Sequence, residues 1–283
     1  MRTEVLPMKG IVIFGLALLT LSVPLSSRAE FDLEQELLSI PSYHENAEYG
    51  WKVQRNPRDF DFTLAVKPGA AGEHEVAISL PGASRMEQVH VFVTDGDYET
   101  FEHFLPQETG ENTYAFTHSF AKAGTYYLEI ALKTAGTWVN LSKKVEIAGS
   151  APTPSPRTTL EEQGYEIRVK PLPYSEIWTD HVVTLVFEIL HHGQPVRDLE
   201  ILHGAEMHVV AWRTGWFRKV GTFQYAASRQ NLGGPRAAVS LVFDKPGRYR
   251  IFARFKHQNE IKTVELELDV DREPQRGQEE YPA

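Results

Sequence analysis

Eleven histidines and no cysteine set the first limit on what chemistry this 283-residue chain can do. Imidazole is the commonest transition-metal ligand near neutral pH and suits copper and zinc. A blue-copper centre is excluded, because its thiolate cannot be supplied. Three histidines stand out by position: His90 in Val89-His-Val-Phe-Val93, His103 in Phe101-Glu-His-Phe-Leu-Pro106, and His118 in Thr113-Tyr-Ala-Phe-Thr-His-Ser-Phe120. Tyr114, Phe116, His118 and Phe120 share one face of a strand, so His118 points inward. There an unpaired imidazole costs about 1–3 kcal/mol unless something satisfies it. With His90 on a central strand and His103 in the following loop, the three form a candidate copper or zinc site. The competing reading makes them satisfied structural or surface histidines and needs no cofactor; both readings stand on sequence alone.

The other chemistry-bearing residues read more plainly. His191 and His192 precede a Gly193-Gln-Pro turn and, being adjacent on a strand, point to opposite faces. His208 sits on an otherwise apolar strand, where a packing role with one ring nitrogen tied to the backbone fits. Trp212, Trp216 and Phe217, followed by Arg218 and Lys219, form an aromatic and basic cluster suited to a protein or glycan partner, although Trp212 also fits the end of a core strand. Asp95-Gly-Asp97 has two residues of a calcium loop without the closing Glu. No nucleophile elbow, His-Glu-x-x-His or phosphate-cradling glycine loop occurs, so no catalytic residue is assigned. A formal charge of −9 argues against nucleic acid as a partner.

The elements that must position these residues are strands. Phe60–Val66 and Glu75–Leu80 alternate apolar and polar, Val89–Val93 is continuously apolar as a central strand would be, and Thr113–Phe120, Thr125–Leu132 and Thr137–Ile147 complete an antiparallel sandwich. Ala148-Gly-Ser-Ala-Pro-Thr-Pro-Ser-Pro-Arg157 reads as a proline-rich linker, assigned to 149–163. The plan then repeats at Tyr165–Lys170, Val182–Leu190, Met207–Trp212, Ala237–Phe243, Arg248–Lys256 and Lys262–Val270. Val89-His90-Val91-Phe92-Val93 aligns with Met207-His208-Val209-Val210-Ala211. Phe120-x-x-x-Gly124-x-Tyr126 aligns with Phe243-x-x-x-Gly247-x-Tyr249. The shared glycine suits a turn at positive φ, and the shared aromatic two places on suits a core anchor. Before the first sandwich, Arg2 and Lys9, an apolar run from Ile11 and Ser27-Arg-Ala29 have the form of a signal peptide cleaved after Ala29. Its apolar run is too short for the roughly 20 residues that cross a bilayer. Residues Glu30–Leu38 have helical spacing, and the tail over 272–283 has a disordered composition.

Gly193-Gln-Pro-Val-Arg-Asp-Leu199, Gly204-Ala-Glu-Met-His208 and Phe243-x-x-x-Gly247-Arg-Tyr-Arg-Ile-Phe-Ala-Arg-Phe255 resemble the YtkA-like group of bacterial extracytoplasmic sandwiches. The resemblance implies an immunoglobulin-like or cupredoxin-like fold, and some members are linked to copper handling. The family's Phe-x-His-x-His-Pro segment is replaced here by Trp216–Phe223, whereas the first copy keeps part of it at Phe101-Glu-His103-Phe-Leu-Pro106.

The sequence therefore predicts an all-β protein of two tandem immunoglobulin-like sandwiches, over 60–148 and 164–271, behind a signal peptide (1–29) and an N-terminal helix with its lead-in (30–59). The expected function is a periplasmic or secreted, non-enzymatic binding or accessory protein, contacting a protein or glycan through Trp212, Trp216, Phe217 and Arg218. The alternative is copper handling through His90, His103 and His118.

Overall fold

The computed structural model describes residues 54–55, 62–68, 73–80, 86–134, 137–148, 159–214 and 223–273. The signal peptide, the N-terminal helix, residues 149–158 of the linker and the tail beyond 273 lie outside the described residues. Among the described residues every regular element is a strand. No helix there is long and apolar enough to cross a membrane.

The first sandwich is built from β1 (Gln54–Arg55), β2 (Thr63–Pro68), β3 (His74–Ser79), β4 (Met86–Asp95), β5 (Phe101–Phe104), β6 (Gln107–Gly110), β7 (Thr113–His118), β8 (Gly124–Thr134) and β9 (Thr137–Ile147). The second contains β10 (Tyr165–Leu172), β11 (Val182–His191), β12 (Gln194–Pro195), β13 (Met207–Arg213), β14 (Phe223–Ala227), β15 (Arg236–Val242), β16 (Gly247–His257) and β17 (Glu260–Val270). In the first, the sheet β2-β3-β7-β6 faces β9-β8-β4-β5, with β1 beside β9. Lettered along the chain, that is A-B-E-D against G-F-C-C′, the immunoglobulin order. The second repeats it as β10-β11-β15 against β14-β13-β16-β17. Both copies lie in one compact unit, Ile40–Ala283.

The repeat read from sequence recurs in atomic detail. Gly124 and Gly247 both have φ of 135°. Two residues later the hydroxyls of Tyr126 and Tyr249 donate to the carbonyls of Lys122 and Lys245, each at 2.9 Å. This is a tyrosine corner, written twice. Each ring also packs edge-on against the aromatic six residues upstream, Phe120 at 4.7 Å and Phe243 at 4.6 Å. Residues Thr159–Gln163, expected in the linker, form an ordered turn instead: the Glu162 amide donates to Thr159 Oγ1, and the Thr159 amide to Glu162 Oε2. That reciprocal pair lets Leu160 pack on the second core.

What positions the site is a third core between the copies. On β4, Val89, Val91 and Val93 fill the first sandwich. On β13, Met207, Val209 and Ala211 fill the second. The alternate residues point the other way, and there Phe92, Phe101 and Ala131 of the first copy meet Val210, Trp212, Phe223 and Phe252 of the second. Strands buried on both faces have no polar side to show, which is why Val89–Val93 of β4 and Met207–Trp212 of β13 are apolar apart from one histidine each. Burying each large side chain in this layer contributes about 1.5–3 kcal/mol. The copies are therefore stacked through their C′-C-F-G sheets, not strung as separate beads.

Candidate metal centre

Parity decides which histidines meet. His90 lies one residue out of phase with Val89 and Val91, so its ring leaves the first core and faces the second copy, 3% exposed. Across β4 and β5, Phe92 pairs with His103. His90 is thus the diagonal same-face neighbour of His103, and side chains in that relation reach each other. Nδ1 of His90 and Nε2 of His103 are 2.9 Å apart, one donating to the other. His103, expected in a loop, is on a strand, and the ladder to β4 aims it.

From the second copy comes His208, the partner of His90 in the repeat. Its Nε2–H donates to the Leu202 carbonyl at 2.6 Å. That leaves Nδ1 as the lone-pair nitrogen, which accepts from the Tyr225 hydroxyl at 3.0 Å. A backbone carbonyl holding one ring nitrogen is the usual support of a metal-ligating histidine, fixing tautomer and orientation. His203 follows on a tight turn, with φ of 50° there and 91° at Gly204. Leu202 and Ala205 close that turn by mutual backbone hydrogen bonds. The His203 ring stands 4.9 Å from that of His103.

His90, His103 and His208 each offer a ring nitrogen, all within 4.8 Å of one another. A tetrahedral ion with metal–nitrogen bonds near 2.0–2.1 Å separates its ligand atoms by about 3.3 Å, so side-chain shifts of about 1 Å would close the set. Nδ1 of His103 is buried without a hydrogen-bond partner. A cleft of about 290 Å³, bordered by His90, His203, His208 and Tyr225, leads to the cluster.

The electrostatics suit a cation's ligands. Burial, and then the neighbouring His208 and His203, lower His90 to about 3. Burial likewise holds His208 at about 4, against the raising effect of its bond to Leu202. His103 lies well below its usual value, again through burial first, then His208, His90, His203 and Arg254. All three are neutral at physiological pH, and each ring therefore has one lone-pair nitrogen that an ion could take over from its present hydrogen bond.

His118 is not among them. It lies on β7, opposite His74, and packs edge-on against Phe104 and Phe120 at 5.2 and 4.6 Å. Its inward parity keeps it inside the first sandwich, on the far side of the β4 sheet from His90. Trp212 is 2% exposed within the third core, where it offers no surface to a partner. Trp216, Phe217 and Arg218 lie outside the described residues.

The second sandwich matches a family model. The match runs over residues 159–272 and is described as Domain of unknown function (DUF8832). No curated protein matches the chain. Among solved structures, the chicken CNTN1 FN1-FN3 domains align at 10% identity and a TM-score of 0.23, over 74% of this chain and 66% of that one. Escherichia coli alpha-2-macroglobulin activated by porcine elastase aligns at 11% identity and a TM-score of 0.28, over 76% of this chain and 24% of that one. The chain spans less than two thirds of either. The immunoglobulin assignment stands on strand order and the two tyrosine corners.

The buried imidazoles make metal-free stability acid-sensitive. In the unfolded chain each takes a proton at its ordinary 6.5, whereas folded His90 does so only at about 3, and His208 and His118 only at about 4. Between those values the unfolded state holds more protons, so stability is complete above 6.5 and falls by up to about 1.4 kcal/mol per pH unit per histidine below it. Urea unfolding at neutral and mildly acid pH should show a loss of several kcal/mol. A flat profile would mean the rings are solvated.

Proposed function

We propose that this protein binds one transition-metal ion between its two sandwiches, copper(II) ahead of zinc(II), as an exported metal-binding accessory protein. The observation carrying this reading is the convergence of three buried, neutral imidazoles contributed by both copies. Imidazole sites take copper, zinc, iron and nickel, and the general affinity order places copper(II) first. The resemblance to YtkA-like sandwiches points the same way, and the leader-like segment supports export. The sequence carries no catalytic motif, which favours holding or delivering an ion over catalysis.

The test is titration of the metal-free whole chain with Cu(II) and Zn(II) by calorimetry. One ion per chain is expected, with a Kd below about 1 μM, corresponding to about 8 kcal/mol. At free metal of about 100 times that Kd, the folded state should gain about 2.7 kcal/mol. Binding weaker than micromolar for both ions would end the proposal.

A further inference from the structure

The two copies contribute to the cluster through the same pair of register positions. In the first, Phe92 pairs with His103, so His90 on β4 and His103 on β5 are diagonal neighbours. In the second, Val210 pairs with Tyr225, so His208 on β13 and Tyr225 on β14 stand in that same relation. His90 corresponds to His208, and His103 therefore corresponds to Tyr225. The match extends one step along each strand: Thr94 pairs with Phe101, and Trp212 with Phe223. Phe101-Glu-His103 in one copy is thus Phe223-Gln-Tyr225 in the other.

The atoms follow the register. His90 Nδ1 and His103 Nε2 are 2.9 Å apart, and His208 Nδ1 and Tyr225 Oη are 3.0 Å apart. Each copy presents one close pair of donor atoms, and the two pairs face each other, with the rings of His90 and His208 at 5.7 Å and those of His90 and Tyr225 at 5.2 Å. Charge supplies a second, independent argument. Among the described residues no carboxylate joins the three histidines. Three neutral imidazoles would leave a divalent ion uncompensated in a buried aromatic setting, which is costly. Arg254, which pairs with Glu102 at 3.6 Å, is still felt at His103 as a small positive charge and offers no compensation. The group placed to supply an anion at the cluster is the Tyr225 phenol, which burial holds neutral well above its usual range, so that only a bound ion displaces its proton.

We propose that Tyr225 is the fourth ligand, completing a set of His90, His103, His208 and a tyrosinate, two from each copy. This rests on the metal-binding reading above and specifies its chemistry. On binding, the Tyr225 O–H bond breaks, its proton leaves to solvent, and the phenolate oxygen bonds the ion in place of its hydrogen bond to His208; the proton between His90 Nδ1 and His103 Nε2 passes to the other nitrogen of the ring that carried it, leaving both of these nitrogens with a lone pair for the ion. No electron is transferred. Such an N₃O set selects ions that accept a hard anionic oxygen beside imidazole, Cu(II) and Fe(III) above Cu(I).

The experiment is Cu(II) loading of the whole chain, read by visible absorption and electron paramagnetic resonance, in wild type and Tyr225→Phe. The wild type should show a phenolate-to-copper charge-transfer band, and resonance Raman excitation into it should enhance phenolate modes. Tyr225→Phe should lose the band, keep nitrogen-coupled copper resonance, and bind about 10–100-fold more weakly. The Raman measurement needs only wild-type protein, so it stands even if the variant folds poorly. Bound copper with imidazole signatures alone, or a band that survives in Tyr225→Phe, would overturn the tyrosinate while leaving the metal site intact. No copper binding at all would overturn both.

Discussion

Trp212→Ala is expected to destabilise the protein by about 3–5 kcal/mol, the range for deleting a large aromatic from a packed interior. The reason is its position in the layer between the sandwiches, where its ring lies 5.2 Å from Phe223, 5.8 Å from Phe101 and 5.8 Å from Phe252. Those neighbours are anchored by strands of both copies, so the void cannot close without moving one sheet against the other. Urea unfolding, followed by tryptophan fluorescence and circular dichroism, measures the loss. It should also loosen the docking, so the metal affinity of this variant should fall although Trp212 touches no ligand atom. A loss below about 1 kcal/mol, the level of ordinary surface changes, would show that the layer does not hold the sandwiches together.

His208→Ala should lower metal affinity by at least about 100-fold, the upper end of what removing even a supporting group costs. His118→Ala should leave it unchanged. The pair matters because the two histidines look alike in sequence, each a polar residue in an apolar strand. His208 is separated from its partners only by distances that an ion can bridge. His118 is enclosed by Phe104, Phe120 and His74 within one sandwich. Affinities are best compared well below the melting temperature, since His208→Ala also strands the Leu202 carbonyl at a cost of about 1–3 kcal/mol. Weakened binding in His118→Ala with none in His208→Ala would return the site to the trio expected from sequence.

Much of this fold was legible because strands write their burial into alternate residues. Tyr114 and Phe116, Tyr126 and Leu128, and Tyr249 and Ile251 each gave a face, and Gly124 and Gly247 marked equivalent turns. The site was half legible. His90 and His103 meet, but the alternation that turns His118 into the first core also governs His90. That alternation turns the His90 ring away from Val89 and Val91 and hence away from His118. The repeat itself pointed to the missing ligand, since His90 aligns with His208. The signal for Tyr225 is the shared Phe-x-His and Phe-x-Tyr spacing at Phe101 and Phe223, which is faint because β5 and β14 are only four and five residues long and β5 reads as a loop. What sequence could not supply was the stacking of the copies, because an unbroken apolar run says that a strand is covered on both sides without saying by what.

The duplication bears on how the chain's chemistry arose. Of the four proposed ligands, the stretch shared with the uncharacterised domain family contains only His208 and Tyr225. Taken alone, the second sandwich of this chain supplies half of the proposed coordination sphere. The proposed capacity to hold an ion is then a property of the doubled chain, arising where one copy's outer sheet meets the other's.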